Sequence, residues 1–298
     1  MSKSICVITN PKSGTNSNDA NAIDRVMAIL GDQAQLIETD PESGFEGAVE
    51  KALEQGCATI VAAGGDGTIV GISSLLLDKD VTMGVLPLGT FNFFSRGLGI
   101  PEDPEEAAKA LLHGEPKKIS VGSVNGQIFL NNASLGVYPV ILKNREATYK
   151  HWGRSRIVAH ISMLKTFLQF DRVLKIRIMS EGVQKTIETP LVFVARSSYQ
   201  LDMFNLEGED AIKDDNFAVF TAVSQGRFTM LKNVWRLVRR TMQQGRDFDL
   251  YKVQELDIDT GRKEELVAFD GEKAKMKTPL EFRMHTDALR ILVPKEGA

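Results

Sequence analysis

The first part of the chain, up to about residue 115, alternates short apolar runs with stretches of helical periodicity, and this alternation constrains the fold most. Four apolar runs predict strands, at 5–9, 35–38, 59–63 and 82–86. The segments around them predict helices, at about 20–30, 45–55, 68–77 and 104–113. Strands joined through helices favour parallel pairing. The sequence therefore predicts an α/β fold that begins with a doubly wound parallel sheet.

The pattern changes near Lys117. Two short apolar runs flank Asn125-Gly126, a pair that suits the tight turn of a β-hairpin. Later runs predict antiparallel strands, at 174–179, 190–195, 217–223, 256–259 and 266–269, with helical stretches near 151–170 and 227–245. We therefore expect domains at 1–122 and 123–285, the second mainly antiparallel β with inserted helices. The last strand, 288–293, can belong to either domain, so residues 286–298 can return to the first.

Charge is distributed unevenly along the chain. The net charge of −3 gives no general reason to expect binding to nucleic acid. Between Lys143 and Arg177, however, nine basic residues face two acidic ones, a net charge of +7. Residues 225–246 carry six basic residues and no acidic one, with apolar residues at helical spacing and Trp235 among them. This segment is either an amphipathic helix that lies on anionic lipid or a core-packed helix with a solvated basic face.

Cys6 and Cys57 each lie in an apolar run that predicts a strand, and no other cysteine is present. The sequence thus favours two buried, reduced thiols and a cytosolic setting. The chain begins directly with a strand pattern rather than an apolar signal region. Its longest uncharged run, 119–142, is interrupted by polar residues and Pro139, so we expect no transmembrane helix.

The loop Gly64-Gly65-Asp66-Gly67-Thr68 lies between a predicted buried strand and a predicted helix. Adjacent glycines let backbone N–H groups approach a phosphate without a Cβ in the way. The helix start offers further N–H groups to the same anion. Asp66 can bind a ribose hydroxyl or a metal-bound water, or it can simply cap a helix at a tight turn. The chain contains no P-loop motif and no complete dinucleotide-binding motif.

Two more loops of small and polar residues follow predicted strands, Asn10–Gly14 and Pro87–Asn92. Each alone is typical of an ordinary turn, but the carboxyl ends of parallel strands share one edge, where ligands bind. Together the three loops predict a nucleotide site. Downstream, Asp270 and Glu272 follow a β-run. They belong to a solvated turn, or one of them accepts the proton of a hydroxyl that attacks a phosphate.

These motifs, in their order and spacing, carry a resemblance. Asn10-Pro11-x-Ser13-Gly14, the loop 64–68, Pro87-Leu88-Gly89-Thr90-x-Asn92 and Asp270-Gly271-Glu272 are similar to the diacylglycerol-kinase catalytic-domain family, and 131–136 also fits it. That family includes bacterial lipid kinases and sphingosine kinases and shares a nucleotide fold with NAD kinases. The resemblance implies transfer of the γ-phosphoryl group of ATP, with Mg²⁺ bridging its phosphates, to a hydroxyl of a diacylglycerol-like membrane lipid.

The resemblance also implies roles for particular residues. Asp270 and Glu272 are the expected catalytic residues, Asp270 being favoured for the proton transfer. A structural divalent cation would be bound by Asp215 and by backbone oxygens of Ile212 and Phe217. ATP would bind between the two domains, at Asn10, Pro11, Lys12, Ser13, Gly14, Thr39, Gly64, Gly65, Asp66, Gly67, Thr68, Ile69, Val70, Gly71, Thr90 and Asn92.

The chain departs from the family pattern at a few positions. Val70 and Gly71 replace a frequent Asn-Glu pair, Phe93 and Ser120 stand where many members have Asp, and Asn216 replaces Gly. These departures leave open a catalytically degenerate nucleotide- or lipid-binding protein, and the shared glycine-aspartate loop leaves open an enzyme similar to NAD kinase. For the lipid kinase we expect a cytoplasmic protein, peripheral at the inner face of the membrane. Its partner would be the lipid substrate, with no nucleic acid, and a homodimer is left open.

Overall fold

The computed structural model describes residues 4–10, 21–140, 173–180, 183–223 and 226–295. The chain divides into two compact units, Met1–Val121 with His285–Ala298, and Gly122–Met284. Two strands carry the chain from one unit to the other, β5 (Glu115–Val124) and β16 (Leu280–Val293). No helix among the described residues is long and apolar enough to cross a membrane.

The first unit is built on parallel strands flanked by helices. Its remaining elements are β1 (Ile5–Thr9), α1 (Ala22–Leu30), β2 (Ala34–Glu38), α2 (Gly44–Glu54), β3 (Thr59–Gly64), α3 (Asp66–Leu76), β4 (Thr82–Pro87), α4 (Phe93–Gly97) and α5 (Pro104–His113), with a 3₁₀ turn at Gly31–Gln33. The strands lie in the order β2-β1-β3-β4, all parallel, and the end of β16 pairs in parallel with β4. Helix α1 packs against α5, and α2 packs against α3. The predicted doubly wound parallel sheet is confirmed.

Local sequence explains why these elements form where they do. Strands β1 and β3 are almost wholly apolar and buried, as expected of parallel strands that are covered on both faces. Helix α5 starts with Pro104 in its first turn, and the Asp103 carboxylate accepts the N–H groups of Glu105 and Glu106 at 3.0 Å. The ends of these elements are therefore fixed by their own residues as well as by packing.

The second unit is mainly antiparallel. Its elements are β6 (Gln127–Phe129), β7 (Asn132–Gly136), β8 (Leu174–Ser180), β9 (Val183–Thr189), β10 (Leu191–Ala195), α6 (Ser198–Phe204), α7 (Glu209–Lys213), β11 (Phe217–Ala222), α8 (Arg227–Val238), β12 (Phe248–Val253), β13 (Glu255–Asp259), β14 (Glu264–Phe269) and β15 (Glu272–Lys277). One sheet has the order β12-β11-β10-β7-β14-β15, and β9-β8-β13 continue onto the start of β16. Both layers contribute to one core, in which the Phe129 ring contacts Phe217 and Phe282. The predicted antiparallel β domain with inserted helices is confirmed.

Several elements of the second unit are absent from the sequence prediction. Strand β15 reads Glu-Lys-Ala-Lys-Met-Lys and is an edge strand, where charged side chains face solvent and no apolar run is needed. Strand β12 mixes polar with apolar residues in a similar way. The helix expected at 227–245 ends at Val238, shortly before Arg240 takes a positive φ of 59°. The stretch 151–170 lies outside the described residues.

The expectation of reduced cysteines is wrong, because Cys6 and Cys57 form a disulfide. Cys6 lies in β1, and Cys57 lies two residues before β3, which pairs in parallel with β1. The pairing brings the two Cα atoms to 5.9 Å, within the range that a disulfide spans. The sequence separation of 51 gave no sign of this proximity.

Asp247 in the second unit gives a testable pH dependence. Its carboxylate is 1% exposed and accepts hydrogen bonds from Arg236, Arg246 and the Gln243 N–H. Burial raises the pKa of Asp247, but these hydrogen bonds and the two positive charges outweigh burial and hold the pKa below its ordinary value. Asp247→Asn should therefore lower the free energy of unfolding by about 3 kcal/mol at neutral pH.

The sign of this effect follows from the depressed pKa. The stabilisation is present above the pKa of an unfolded aspartate and is lost as the pH falls through the folded-state pKa. Urea unfolding of wild type and variant, at neutral pH and in acid, measures it. The difference between them should shrink in acid, and an equal difference at both pH values would contradict the assignment.

Candidate functional site

The strands of the first unit end together at one edge of the sheet. Thr9 pairs with Ala63, and Gly64 pairs with Pro87, so β1, β3 and β4 finish in register. Thr39 follows β2 and donates its N–H to Thr9 O at 3.0 Å. The ends of these strands therefore bring the loops after β1, β3 and β4, together with Thr39, to the same edge. Of the loop after β1, Asn10 is described, while Pro11, Lys12, Ser13 and Gly14 lie outside the described residues.

The loops after β3 and β4 touch each other backbone to backbone. A Cβ added to Gly89 would lie 2.5 Å from Gly65 Cα and 2.7 Å from Asn92 Oδ1. The Leu88 N–H donates to Gly64 O at 3.0 Å in the same contact. Only glycine permits this approach, because any side chain at position 89 would separate the loops. The contact holds the two loops together at the strand ends.

Asp66 connects these two loops. It is the first residue of α3, and its carboxylate accepts the N–H groups of Phe93 and Phe94, at 3.4 and 3.3 Å. Burial raises the pKa of Asp66, and the hydrogen bonds from Phe94, Phe93 and Asn92 and the charge of Arg96 oppose that rise only in part. Of the two interpretations of Asp66, the contacts correspond to a helix cap, although the helix is α4 rather than α3.

Asn92 and Thr90 play different parts in the loop after β4. Asn92 is buried with a positive φ of 50°, a conformation that asparagine tolerates. Its Oδ1 accepts the Gly89 N–H at 3.1 Å and its Nδ2 donates to Gly89 O at 3.0 Å. Thr90 is exposed at the loop tip. Asn92 thus closes the loop, whereas the Thr90 hydroxyl is accessible to a ligand.

Some residues at the start of α3 are likewise buried and structural, while others are exposed. Thr68 and Ile69 are buried, and both donate their N–H groups to Gly65 O. A Cβ at Gly71 would lie 2.8 Å from the Phe45 ring, so this glycine allows α2 and α3 to pack closely. Gly67 is exposed, and a Cβ added there would have no neighbour within 4 Å. Val70 is half-buried. Among residues 64–71, Gly65 and Gly67 are best placed for a phosphate.

Asp270 in the second unit organises the segment 130–132. Its Oδ2 accepts the Leu130 N–H at 2.6 Å, and its Oδ1 accepts those of Asn131 and Asn132 at 2.9 and 3.1 Å. Its own N–H donates to Asn132 O at 3.0 Å, and its φ is +44°. Glu272 is exposed at the start of β15. Sequence analysis missed this partnership of Asp270 with residues 130–132, although it singled out both motifs.

Asp215, expected to bind a structural cation, is paired with an arginine. The Arg196 guanidinium lies 3.6 Å from its carboxylate. Burial lowers the pKa of Arg196, and the charge of Asp215 opposes that shift. Ile212 O accepts the Asp215 N–H at 3.3 Å, and Phe217 pairs with Val253 in the sheet. The described residues contain no cluster of three acidic, histidine or cysteine side chains suited to a metal. The groups present fit an ion pair better than a cation shell of six or more oxygens.

Comparison with known proteins relates the chain to lipid kinases. Residues 4–124 match the family model for the diacylglycerol kinase catalytic domain. The chain is 40% identical over 119 residues to the "Diacylglycerol kinase" of Bacillus subtilis, which covers 35% of this chain and 39% of that protein. It is 32% identical over 165 residues to the "Probable lipid kinase YegS-like" of Chromohalobacter salexigens, over 54% of this chain and 53% of that protein. The chain thus aligns with about half or less of each relative's length.

The structure is also similar to solved ones. A crystal structure described as a diacylglycerol kinase from Bacillus anthracis matches with a TM-score of 0.71, over 99% of this chain and 98% of the other. A second structure from the same organism matches with a TM-score of 0.76 and the same 99% coverage of this chain. Sequence identity is 20% in both cases, so these matches establish the fold.

Proposed function

We propose that the chain is a lipid kinase, because residues 4–124 match the family model for the diacylglycerol kinase catalytic domain and the chain is similar to lipid kinases over part of their length. The proposed reaction transfers the γ-phosphoryl group of ATP to a hydroxyl of a diacylglycerol-like lipid at the inner face of the membrane, from the cytoplasm. The observation that carries the proposal is the glycine loop at the strand ends, where Gly67 is exposed and Gly65 packs directly on Gly89. Phosphates need such a loop, since they bind backbone N–H groups at close range.

The first unit would bind the nucleotide. Amides around Gly65 and Gly67 would donate to phosphate oxygens, and the Thr90 hydroxyl is exposed for the same purpose. Asp66 acts indirectly, because it holds the start of α4 against the glycine loop. Mg²⁺ bound with ATP would neutralise charge on the transferred group. The predicted ligands Pro11, Lys12, Ser13 and Gly14 remain part of the proposal on the strength of the sequence motif.

The second unit would supply the base. As the lipid hydroxyl oxygen forms its bond to the γ-phosphorus, its proton passes to the carboxylate of Asp270. The bond between the γ-phosphorus and the β–γ bridging oxygen breaks, and ADP leaves. The three backbone N–H groups that Asp270 accepts support this role, because they fix the orientation of the carboxylate. Glu272 would act beside it at the start of β15.

One observation favours a second candidate, a protein that binds nucleotide or lipid without turnover. Phe93 stands where the family pattern noted in the sequence implies an aspartate, and its ring stacks on the exposed Phe91 at 5.6 Å between centroids. An aromatic pair therefore occupies a loop position for which the resemblance implies a carboxylate. Incubation with γ-labelled Mg-ATP and mixed lipid micelles distinguishes the two. A labelled lipid supports the kinase, whereas ATP binding without any labelled lipid favours the second candidate.

Gly67→Ala tests whether ATP contacts the glycine loop. The added methyl group meets no protein atom within 4 Å, and alanine is the better helix former, so the free energy of unfolding should be unchanged or higher by about 0.5–1 kcal/mol. Phosphate bound against this backbone would meet the methyl group, and we expect ATP to bind about tenfold more weakly. Calorimetric titration and thermal unfolding measure the two effects. Unchanged ATP affinity would place the phosphates elsewhere.

A further inference from the structure

Helix α8 exposes large apolar side chains on its outward face. Phe228 is 86% exposed, Trp235 55% and Val238 71%. At 3.6 residues per turn, positions 228, 232, 235 and 239 form one stripe along the helix. This outer stripe therefore consists of Phe228, Lys232, Trp235 and Arg239, with Val238 beside it.

The core of the protein does not account for this stripe. The opposite side of α8 packs through Met230, Leu231 and Val234 against a small cluster that includes Val137 and Leu191. These inner residues attach the helix to its unit. The sequence was compatible with a helix that lies on lipid and with a helix that packs on the core. In the structure, α8 has apolar residues on both of its sides. Some pack inward, while Phe228, Trp235 and Val238 face outward.

The charge around the stripe has a single sign. Lys232, Arg239 and Arg240 are exposed, and no acidic residue occurs between Gly226 and Arg246. The Arg239 guanidinium lies 3.9 Å from the Trp235 ring centroid, a cation–π contact that keeps charge and indole together. The nearest acid in sequence, Asp247, is buried and bound to Arg236 and Arg246, so it offers little negative charge to the stripe.

We propose that the outer stripe of α8 docks the protein on an anionic phospholipid bilayer. Phe228 and Val238 would enter the boundary between head groups and acyl chains, and Trp235 would lie at the interface, where indole rings concentrate. Lys232, Arg239 and Arg240 would contact lipid phosphates. A symmetric contact between two copies fits less well, because it would oppose the same three positive charges without an acidic partner.

This inference rests on the proposed function for its purpose, since a lipid kinase must reach its acceptor at a membrane. The binding itself is measured without ATP, so the two can fail separately. The full chain is titrated with vesicles of phosphatidylcholine alone, and with vesicles that also contain phosphatidylglycerol. We expect binding to the anionic vesicles, weaker binding at raised salt, and little binding to the neutral ones.

Paired variants locate the surface. Lys232→Gln with Arg239→Gln should weaken binding to the anionic vesicles by about 30-fold, since each basic residue near the surface contributes about 1 kcal/mol. Phe228→Ala should weaken it by about tenfold through lost apolar burial. The matched controls are Lys117→Gln with Lys118→Gln, exposed residues of β5, and Met179→Ala, an exposed apolar residue of β8. The controls should bind as wild type does.

Several outcomes would overturn the proposal. These are no binding to anionic vesicles, equal binding to both vesicle types without a salt effect, or α8 variants that bind as tightly as wild type. If the wild type is a dimer in solution and the Phe228→Ala variant is a monomer, the stripe contacts a second copy instead of a membrane. Sedimentation of the same samples measures this difference. If vesicles bind through α8 but no lipid is phosphorylated in micelles, the docking surface stands and the kinase assignment fails.

Discussion

Asp270→Asn is expected to lower kcat for lipid phosphorylation by about 10²–10⁴-fold, the usual contribution of a general base. Asparagine keeps one acceptor oxygen but cannot take the hydroxyl proton. Its amide group must also face either the Leu130 N–H, which is bound at Oδ2, or the N–H groups of Asn131 and Asn132, which are both bound at Oδ1. If it faces the buried Leu130 N–H, the free energy of unfolding should fall by about 1–3 kcal/mol. ATP affinity should be unchanged, because the loops proposed to bind the nucleotide are in the other unit.

Three measurements separate these effects. Initial rates with γ-labelled ATP give kcat, thermal unfolding gives stability, and calorimetry gives ATP affinity. Glu272→Gln is the matched control, since Glu272 is exposed at the start of a polar edge strand. Its loss of kcat should be smaller than that of Asp270→Asn. A larger loss for Glu272→Gln would move the base to Glu272, and unchanged kcat in both variants would refute an acidic base in this turn.

Gly89→Ala is expected to lower kcat/KM for ATP by about 100-fold. The new Cβ would lie 2.5 Å from Gly65 Cα, where ordinary contacts are 3.4–4 Å, so the two loops must separate by about 1 Å. Misplacement on that scale can cost about 10²-fold in rate. The free energy of unfolding should also fall by about 1–3 kcal/mol, as for other overpacked sites. Steady-state kinetics at varied ATP and urea unfolding measure the two.

Gly226→Ala is the control for this change. A Cβ at Gly226 would have its nearest neighbour, Thr229 Oγ1, at 3.4 Å, an ordinary contact, and the residue precedes α8 in the other unit. Kinetics with ATP should therefore match wild type. If Gly89→Ala also matched wild type in kcat/KM, the contact between the two loops could not be the surface that holds the phosphates.

The sequence predicted the first unit well for a physical reason. Buried parallel strands are continuous apolar runs, and glycine-rich loops mark their ends, so the predicted β1 and α5 match the structure residue for residue. The five-residue helix α4 was missed, because so short an element has no periodicity to detect. Edge strand β15 was missed because it carries lysines, which suit an edge exposed to solvent, and therefore has no apolar run that would mark it in the sequence.

The candidate site was predictable as a set of motifs but not as a set of contacts. The loops were found because their glycines and hydroxyls stand at strand ends. That Asp66 binds the amides of Phe93 and Phe94, and Asp270 those of residues 130–132, depends on segments up to 140 residues apart. The disulfide between Cys6 and Cys57 likewise depends on strand pairing. The roles assigned to the site residues stay predictions until the variants above are measured.

The path of the chain through β5 and β16 makes the second unit an insertion within the first. Ile291 lies opposite Met83, so within the described part of the chain the outer edge of β4 pairs with residues translated after Gly122–Met284. Until then, a nascent chain would carry a parallel sheet with an open, apolar edge, a template for aggregation. Completion of the parallel sheet is thereby tied to synthesis of the inserted unit, and a fragment that ends near residue 121 would leave the edge of β4 bare.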